Sequence, residues 1–279
     1  MEMSKYALSG YPLGHTMSPP IHKRLFELDG DPSAEYEVCE ISPDRLDERV
    51  KYLNSLNGYN ITIPYKVDII SHLDELDESA KRYNSVNCVV NRGGRNIGFN
   101  TDCSGFLRSL EAGGAKLGGR VLQIGCGGVG RMMATEAALH GADLTIVSLP
   151  EFIAGAEEVA KEAAKLNPSA KISVITHDKI SGEFDLLMNA SPVGMYPKTD
   201  ACPVTEDVVK SCKCVFEVIY NPNVTKLMSI AANNGIPAIG GMAMLVWQAA
   251  VAHEIWSGAS YNDKDVEKII EDMKAELAK

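Results

Sequence analysis

The sequence predicts an α/β protein of two domains: an N-terminal α/β domain followed by a doubly wound nucleotide-binding domain of the Rossmann type. Three observations carry this reading. Strand-like and helix-like segments alternate along the 279 residues, the pattern that builds parallel sheets. Gly125, Gly127 and Gly130 fall at G-x-G-x-x-G spacing, directly after an apolar run and directly before a helical segment. About a hundred residues precede that motif, enough for a domain of their own.

Taken in order, Tyr6-Ala-Leu-Ser9 is the first strand-like run. Ser18-Pro19 reads as a helix N-cap with proline at N1, followed by Ile21, Leu25 and Leu28 at helical spacing. Ser42-Pro43 repeats the device before Leu46, Val50 and Leu53. Strand-like runs lie at 36–38 and 59–63, and a third at 87–90 leads through Gly93-Gly94 to 97–99. Beyond residue 104, strands are expected at 121–124, 144–147, 172–175, 184–188 and 215–219. A helix at 131–140 stops at Gly141, and a longer one covers 151–166. From Met244 to Leu277 the pattern gives two helices separated by Gly258–Asn262. The expected division is a substrate domain at 1–103, a nucleotide domain at 104–238, and C-terminal helices at 239–279 that pack back on the first domain.

Composition narrows the partners. A net charge of −10 argues against nucleic acid and against anionic membranes, so an anionic substrate would need local positive groups. No stretch reads as a signal peptide or a membrane span. The seven cysteines are irregularly spaced and are expected to be reduced thiols in a cytoplasmic protein. Cys212-Lys-Cys214 has no second Cys or His cluster beside it, so no metal site is expected.

The glycine motif has a physical rationale. Gly125 permits the tight turn, Gly127 lets backbone approach a pyrophosphate, and Gly130 allows close helix–strand packing. The helix N-terminus offers free N–H groups to anionic oxygens. The competing reading is a tight βα turn that holds no nucleotide. In the first domain, Asn60 and Thr62 share a strand face, with Lys66 just beyond its end, and Asn100-Thr101-Asp102 immediately precedes the nucleotide domain. A lysine and an aspartate brought together can hold each other ionised and relay a proton. The alternative is an exposed lysine and an N-cap aspartate. His15 and His22 flank the Ser18 helix start; packing or capping explains them better than an acid–base pair, because no carboxylate or cysteine spacing accompanies them. Arg131 faces either a cofactor phosphate or solvent.

Several blocks, in order, resemble the shikimate dehydrogenases from end to end. Gly14-His-Thr16-Met-Ser18-Pro19-Pro20-Ile21-His22 is similar to the family's S-x-S-P carboxylate loop. Asn60-Ile-Thr62-Ile-Pro64-Tyr-Lys66, Val86-Asn87 and Asn100-Thr101-Asp102 follow, then the glycine loop. Asn189-Ala-Ser-Pro-Val-Gly-Met195, Val218-Ile-Tyr220-Asn221-Pro222 and Gly241-Met-Ala-Met244-Leu-Val-Trp-Gln248 complete the set. The resemblance implies reversible hydride transfer between a nicotinamide dinucleotide and the 3-position of shikimate. It implies Lys66 and Asp102 as the catalytic pair, with Thr16 and Ser18 on the substrate carboxylate. Thr62, Asn87, Asp102, Tyr220 and Gln248 would surround the ring and its hydroxyls. Gly125, Gly127, Gly128, Gly130, Ser148, Glu151, Gly241 and Met244 would hold the cofactor, the last two near the nicotinamide. The assembly expected is a monomer or homodimer.

Departures from the family pattern bear on the cofactor. Family custom implies NADP, whose 2′-phosphate is met by the arginine of Asn-Arg-Thr at the second strand end. This chain has Ser148-Leu149-Pro150-Glu151 there. Losing a charge-assisted contact of that kind costs on the order of 2 kcal/mol or more. Glu151 stands either as a ligand of the ribose hydroxyls or as a first-turn acid of the next helix, and repels a 2′-phosphate in both cases. NAD is therefore plausible, and so is a relative acting on quinate; a non-catalytic sensor that kept the fold is a third reading. Smaller departures are Thr16, Cys88, Cys103 and Ala243, none of which removes a catalytic group.

Overall fold

A computed structural model describes residues 3–14 and 16–278, and the chain resolves into two units. One unit runs to Gly105 and takes back Val246–Met273; the other is Phe106–Leu245 with the last residues from Lys274.

The first unit is laid out as β1 (Lys5–Gly10), α1 (Ser18–Leu28), β2 (Glu35–Glu40), α2 (Leu46–Leu53), β3 (Gly58–Ile61), β4 (Glu75–Leu76), α3 (Glu78–Tyr83), β5 (Cys88–Arg92) and β6 (Arg95–Phe99). The helix α4 (Asp102–Ala112) leads out of it. Its strands form one sheet in the order β2-β1-β3-β5-β6-β4. This sheet is mixed, which corrects the expectation of parallel sheets throughout. β1 runs parallel to β2 and β3, but β5 is antiparallel to both β3 and β6. For β5 and β6 the reason is the Gly93-Gly94 connection, with φ of +62° and +87°: so short a link can make a hairpin but not a crossover.

Of the two serine caps the first differs from expectation and the second is found, on a 3-10 turn that runs into α2. Ser18 lies inside α1 and Met17 is the N-cap, because Pro19 and Pro20 have no N–H and the first donor, that of Ile21, reaches the Met17 carbonyl at 3.3 Å. Ser42 caps a short 3-10 turn, Pro43–Arg45, through its backbone carbonyl, which accepts from Arg45 N at 2.9 Å. Strand β3 ends at Ile61, leaving Thr62 just past it. The core of this unit gathers Leu53, Tyr59, Ile61, Ile69 and Val89. Trp256 seals one side: its indole N–H donates to the Val89 carbonyl at 2.9 Å and its ring occupies the space a side chain at Gly58 would need.

The second unit contains β7 (Arg120–Ile124), α5 (Gly128–Leu139), β8 (Asp143–Val147), α6 (Ile153–Leu166), β9 (Lys171–Ile175), β10 (Leu186–Asn189), α7 (Glu206–Lys210), β11 (Val215–Glu217), α8 (Lys226–Asn233) and β12 (Ala238–Ile239). Every pairing in its sheet is parallel, in the order β12-β11-β10-β7-β8-β9. The chain starts in the middle, winds outward one way, returns and winds the other, so its switch point lies between β7 and β10. Leu122, Ile124, Val147, Leu187 and Val215 form the buried centre, as strands covered on both faces require. The strand expected at 184–188 is β10, which starts two residues later and ends one later, and Phe184 makes only an isolated bridge to Cys212. The terminal helices are α9 (Gly241–Ser257) and α10 (Asp263–Leu277), and the unit boundaries fall within both. No helix among the described residues is long and apolar enough to cross a membrane.

Candidate active site

In the first unit, three loops bring polar side chains to one place. Lys66 follows β3; its carbonyl accepts from Val86 N at 2.7 Å, and the neighbouring Tyr65 is buried with its hydroxyl on the Ile41 carbonyl. Asp102 opens α4, and its N–H is held by Asn100 Oδ1 at 3.1 Å. Asn87 lies just before β5 and is buried. Lys66 Nζ donates to Asp102 Oδ2 at 2.6 Å, while Asn87 Nδ2 donates to Asp102 Oδ1 at 2.9 Å. Asn87 Oδ1 accepts from Thr101 N at 2.7 Å, and Gln248 Oε1 stands 3.4 Å from both Asn87 Nδ2 and the Thr101 hydroxyl. Lys66, Asn87, Asp102 and Gln248 thus form one hydrogen-bonded group. The lysine and aspartate side chains keep 25% and 18% exposure, so the pair is shielded yet open to a ligand. Asp102 turns its carboxylate to Lys66 and Asn87.

The Ser18 backbone N–H donates to Thr16 Oγ1 at 3.2 Å, which fixes the Thr16 hydroxyl at the start of α1. Tyr36 OH donates to Asn60 Oδ1 at 2.8 Å, and Asn60 Nδ2 donates to the Asn87 carbonyl at 3.2 Å. A hydrogen-bonded network therefore links Tyr36, through Asn60 and Asn87, with Asp102. Tyr36 is a member that the sequence reading missed. Thr62 lies against Gly10, where no side chain would fit.

His22 is a packed core histidine, stacked on Tyr36 with centroids 4.1 Å apart; His15 lies outside the described residues. His22 Nδ1 meets His253 Nε2 at 2.9 Å, and His253 Nδ1 meets Asp29 Oδ2 at 2.7 Å. Donation running from His22 through His253 to Asp29 satisfies this chain with both rings neutral. Burial holds both imidazoles below the usual histidine range, His22 far below it.

In the second unit, the glycine loop joins β7 to α5. Gly125 has φ +88°, and a Cβ at Gly130 would lie 2.8 Å from the Gly125 carbonyl, so the turn itself requires both. Gly127 is the N-cap of α5 in extended conformation, and a Cβ at Gly127 or Gly128 would meet nothing within 4 Å. The fold does not require those two glycines. Both positions leave the backbone open on that side. Gln123, which the sequence reading passed over, is buried in β7 and donates to the Gly125 and Gly130 carbonyls at 2.9 and 2.8 Å, tying the loop closed.

A cavity of about 630 Å³ opens beside the loop, and its walls include Gly125, Gly127, Ser148 and Glu151. Arg131 lines it too, but its guanidinium is ion-paired with Glu162 of α6. Glu151 lies in the Pro150–Phe152 3-10 helix, ahead of α6 rather than in its first turn, and lines the cavity wall. Leu149 and Phe152 place exposed apolar side chains at the same rim. Tyr220, Gly241 and Met244 are elsewhere in this unit and do not line the cavity. A side chain at Gly241 would collide with the Val218 carbonyl.

Comparison with known proteins places the chain in a family. A family model described as the shikimate dehydrogenase substrate binding domain matches residues 8–89. A shikimate dehydrogenase (NADP(+)) of Shouchella clausii is 36% identical over 276 residues, covering 95% of this chain and 97% of the relative. A shikimate 5-dehydrogenase of Thermus thermophilus, crystallised with NADP(H) and shikimate, is 29% identical at a TM-score of 0.85, covering 97% of this chain and 100% of that one. The Listeria monocytogenes shikimate 5-dehydrogenase, crystallised with shikimate and NAD, is 27% identical at a TM-score of 0.85, with 96% of each chain covered.

Proposed function

The chain belongs to the shikimate dehydrogenase family, and from that premise we propose that it interconverts 3-dehydroshikimate and shikimate with a nicotinamide dinucleotide. The observation that carries this reading is the Lys66–Asp102 pair with Asn87 and Gln248 gathered on it. In the reducing direction the C3 carbonyl carbon gains a hydride while its oxygen gains a proton. Bound in the cavity beside the glycine loop, the dinucleotide supplies the hydride. Lys66, as an ammonium, stabilises the charge developing on that oxygen and donates the proton to it from Nζ. Asp102 holds Lys66 in place and accepts from the adjacent ring hydroxyl. Thr16 and Ser18 bind the substrate carboxylate, and Thr62, Asn87 and Gln248 serve the hydroxyls. The role of Tyr220 with the substrate, and of Gly241 and Met244 near the nicotinamide, rests on the family resemblance.

The dinucleotide reading rests on Gly127, Gly128 and the free N–H groups that start α5. For the finer choice, the rim suits NAD better than NADP: Leu149 offers no charge, Glu151 repels a 2′-phosphate, and Arg131 is already paired with Glu162. The free cysteines fit a reducing compartment, and the cytoplasm is the proposed location. Initial rates of shikimate and quinate oxidation, each with NAD and NADP, test the whole reading. Shikimate turnover with NAD at least equal to NADP is expected. Faster quinate turnover would make the chain a quinate enzyme, and no turnover in any combination would leave only the sensor.

A further inference from the structure

The end of β11 holds a buried carboxylate that the proposed reaction does not use. Glu217 is fully buried, and the hydrogen bonds to it all come from donors. Asn189 Nδ2 donates to both oxygens at 2.9 and 3.1 Å, Ile219 N to Oε1 at 3.1 Å, and the Thr225 hydroxyl to Oε2 at 2.9 Å. These donors belong to three segments: the end of β10, the turn after β11, and the N-cap of α8. Asn189 passes the constraint on, since its Oδ1 accepts from Ser191 N at 3.1 Å and Ser191 Oγ at 2.7 Å. The segment from Ala190 to Val193 walls the dinucleotide cavity. It also abuts the glycine turn, where a Cβ at Gly125 would meet Ser191 and Ala190 at 3.0 to 3.1 Å.

We propose that Glu217 is a positioning residue of the dinucleotide site, its carboxylate fixing, through Asn189, the Ala190–Val193 wall against which the cofactor binds. This rests on the dinucleotide reading above. An ionised carboxylate is the group that suits three converging donors. A protonated acid needs an acceptor, and among these partners only the Thr225 oxygen can serve, although it already accepts from Met228 N at 3.3 Å. Burial pushes the Glu217 carboxyl up to about 7, so the ties are made and lost near neutral pH. The titratable group facing it is the Cys202 thiol, itself raised by burial and by the Glu217 charge; Lys226, at the start of α8, acts on Cys202 in the opposite sense.

The test is NADH affinity at pH 6 and pH 8, because NADH has no phosphate monoester that titrates in this range. Measurements use the full chain in a His177→Gln background, since His177 also lines the cavity. If only the ionised form binds well, affinity should rise by up to about tenfold from pH 6 to pH 8, following the ionised fraction. Glu217→Gln should bind weakly and equally at both pH values, and Glu217→Asp should recover part of the affinity. Equal wild-type affinity at the two pH values would overturn the proposal even if the Gln variant fails to fold, and so would wild-type affinity in Glu217→Gln at pH 8. Failure of the unsubstituted protein to bind either NADH or NADPH would instead remove the dinucleotide reading on which the proposal stands.

Discussion

Replacing Lys66 by alanine should separate activity from stability. The Nζ–Oδ2 contact is 2.6 Å, but the two side chains keep 25% and 18% exposure, so water screens the pair. Its contribution to folding is then only about 0–1 kcal/mol. Removing the lysine does not strand a buried charge, because Asp102 still accepts from Asn87 at 2.9 Å and still reaches solvent. The melting temperature should therefore move by a few degrees at most. Activity loses far more: general acid catalysis is worth about 10²–10⁴ and an electrostatic donor at a developing oxyanion about 10²–10³. Both effects come from the same ammonium and do not multiply, so kcat should fall about 10³-fold, near 4 kcal/mol of barrier. The assay is the initial rate of shikimate oxidation at saturating shikimate and dinucleotide, followed by nicotinamide absorbance, with thermal melting as the control for folding. A kcat within about threefold of wild type, in a variant that melts like wild type, would refute the assignment of Lys66 as proton donor.

Three further outcomes are expected. Leu149→Arg should raise the NADP/NAD ratio of kcat/KM by about tenfold or more, as a charge-assisted phosphate contact implies; an unchanged ratio would show that the 2′-phosphate does not lie at this rim. His22 and His253 are held below the usual histidine range by burial, so the unfolded chain takes up protons first. Their share of stability is complete above about pH 6.5 and is lost as pH falls below it. Melting temperature should drop between pH 7 and pH 5, and less steeply in His22→Gln; parallel slopes in the two proteins would count against the buried pair as the cause. Gly58→Ala should destabilise by about 1–3 kcal/mol, because the new methyl enters the Trp256 ring; denaturant unfolding with an unchanged midpoint would show that the indole can move aside.

The sequence exposed what depends on near neighbours and hid what depends on convergence. The β7–α5–β8 unit was legible because its signals, an apolar run, spaced glycines and a C-terminal Gly141, are all local. Lys66, Asn87 and Asp102 each sit in a recognisable block, but only the structure shows them touching, and Gln248 joins them from 161 positions away. Glu217 was unreadable for the same reason: its donors come from residues 189, 219 and 225, and nothing about an acid at a strand end announces three of them. Two misses did have a signal. A glutamine inside Val121-Leu-Gln-Ile124 breaks an apolar run, and a polar side chain buried there must find partners, which are the loop carbonyls. Gly93-Gly94 between two strand-like runs is a hairpin signal, and giving it priority over strand–helix alternation yields the mixed sheet.

Charge explains why these sites are built mainly from neutral donors. The chain carries −10 overall, yet the proposed substrate and cofactor are anions. The two cations placed at the sites are both already engaged, Lys66 with Asp102 and Arg131 with Glu162. Binding an anion through either one means sharing or displacing a carboxylate, so neither serves as a ready electrostatic anchor. In the proposed binding mode, recognition falls to hydroxyls and amides in the first unit, those of Thr16, Ser18, Asn87 and Gln248, and to the backbone N–H groups that begin α5 in the second. Such donors act through direction at short range, which lets a site reject an analogue lacking one hydroxyl and makes binding less sensitive to salt than a charged funnel would be. The same arrangement bears on the cofactor. Backbone donors suffice for a pyrophosphate, but a 2′-phosphate at a rim occupied by Leu149 and Glu151 would have no charge of its own to meet.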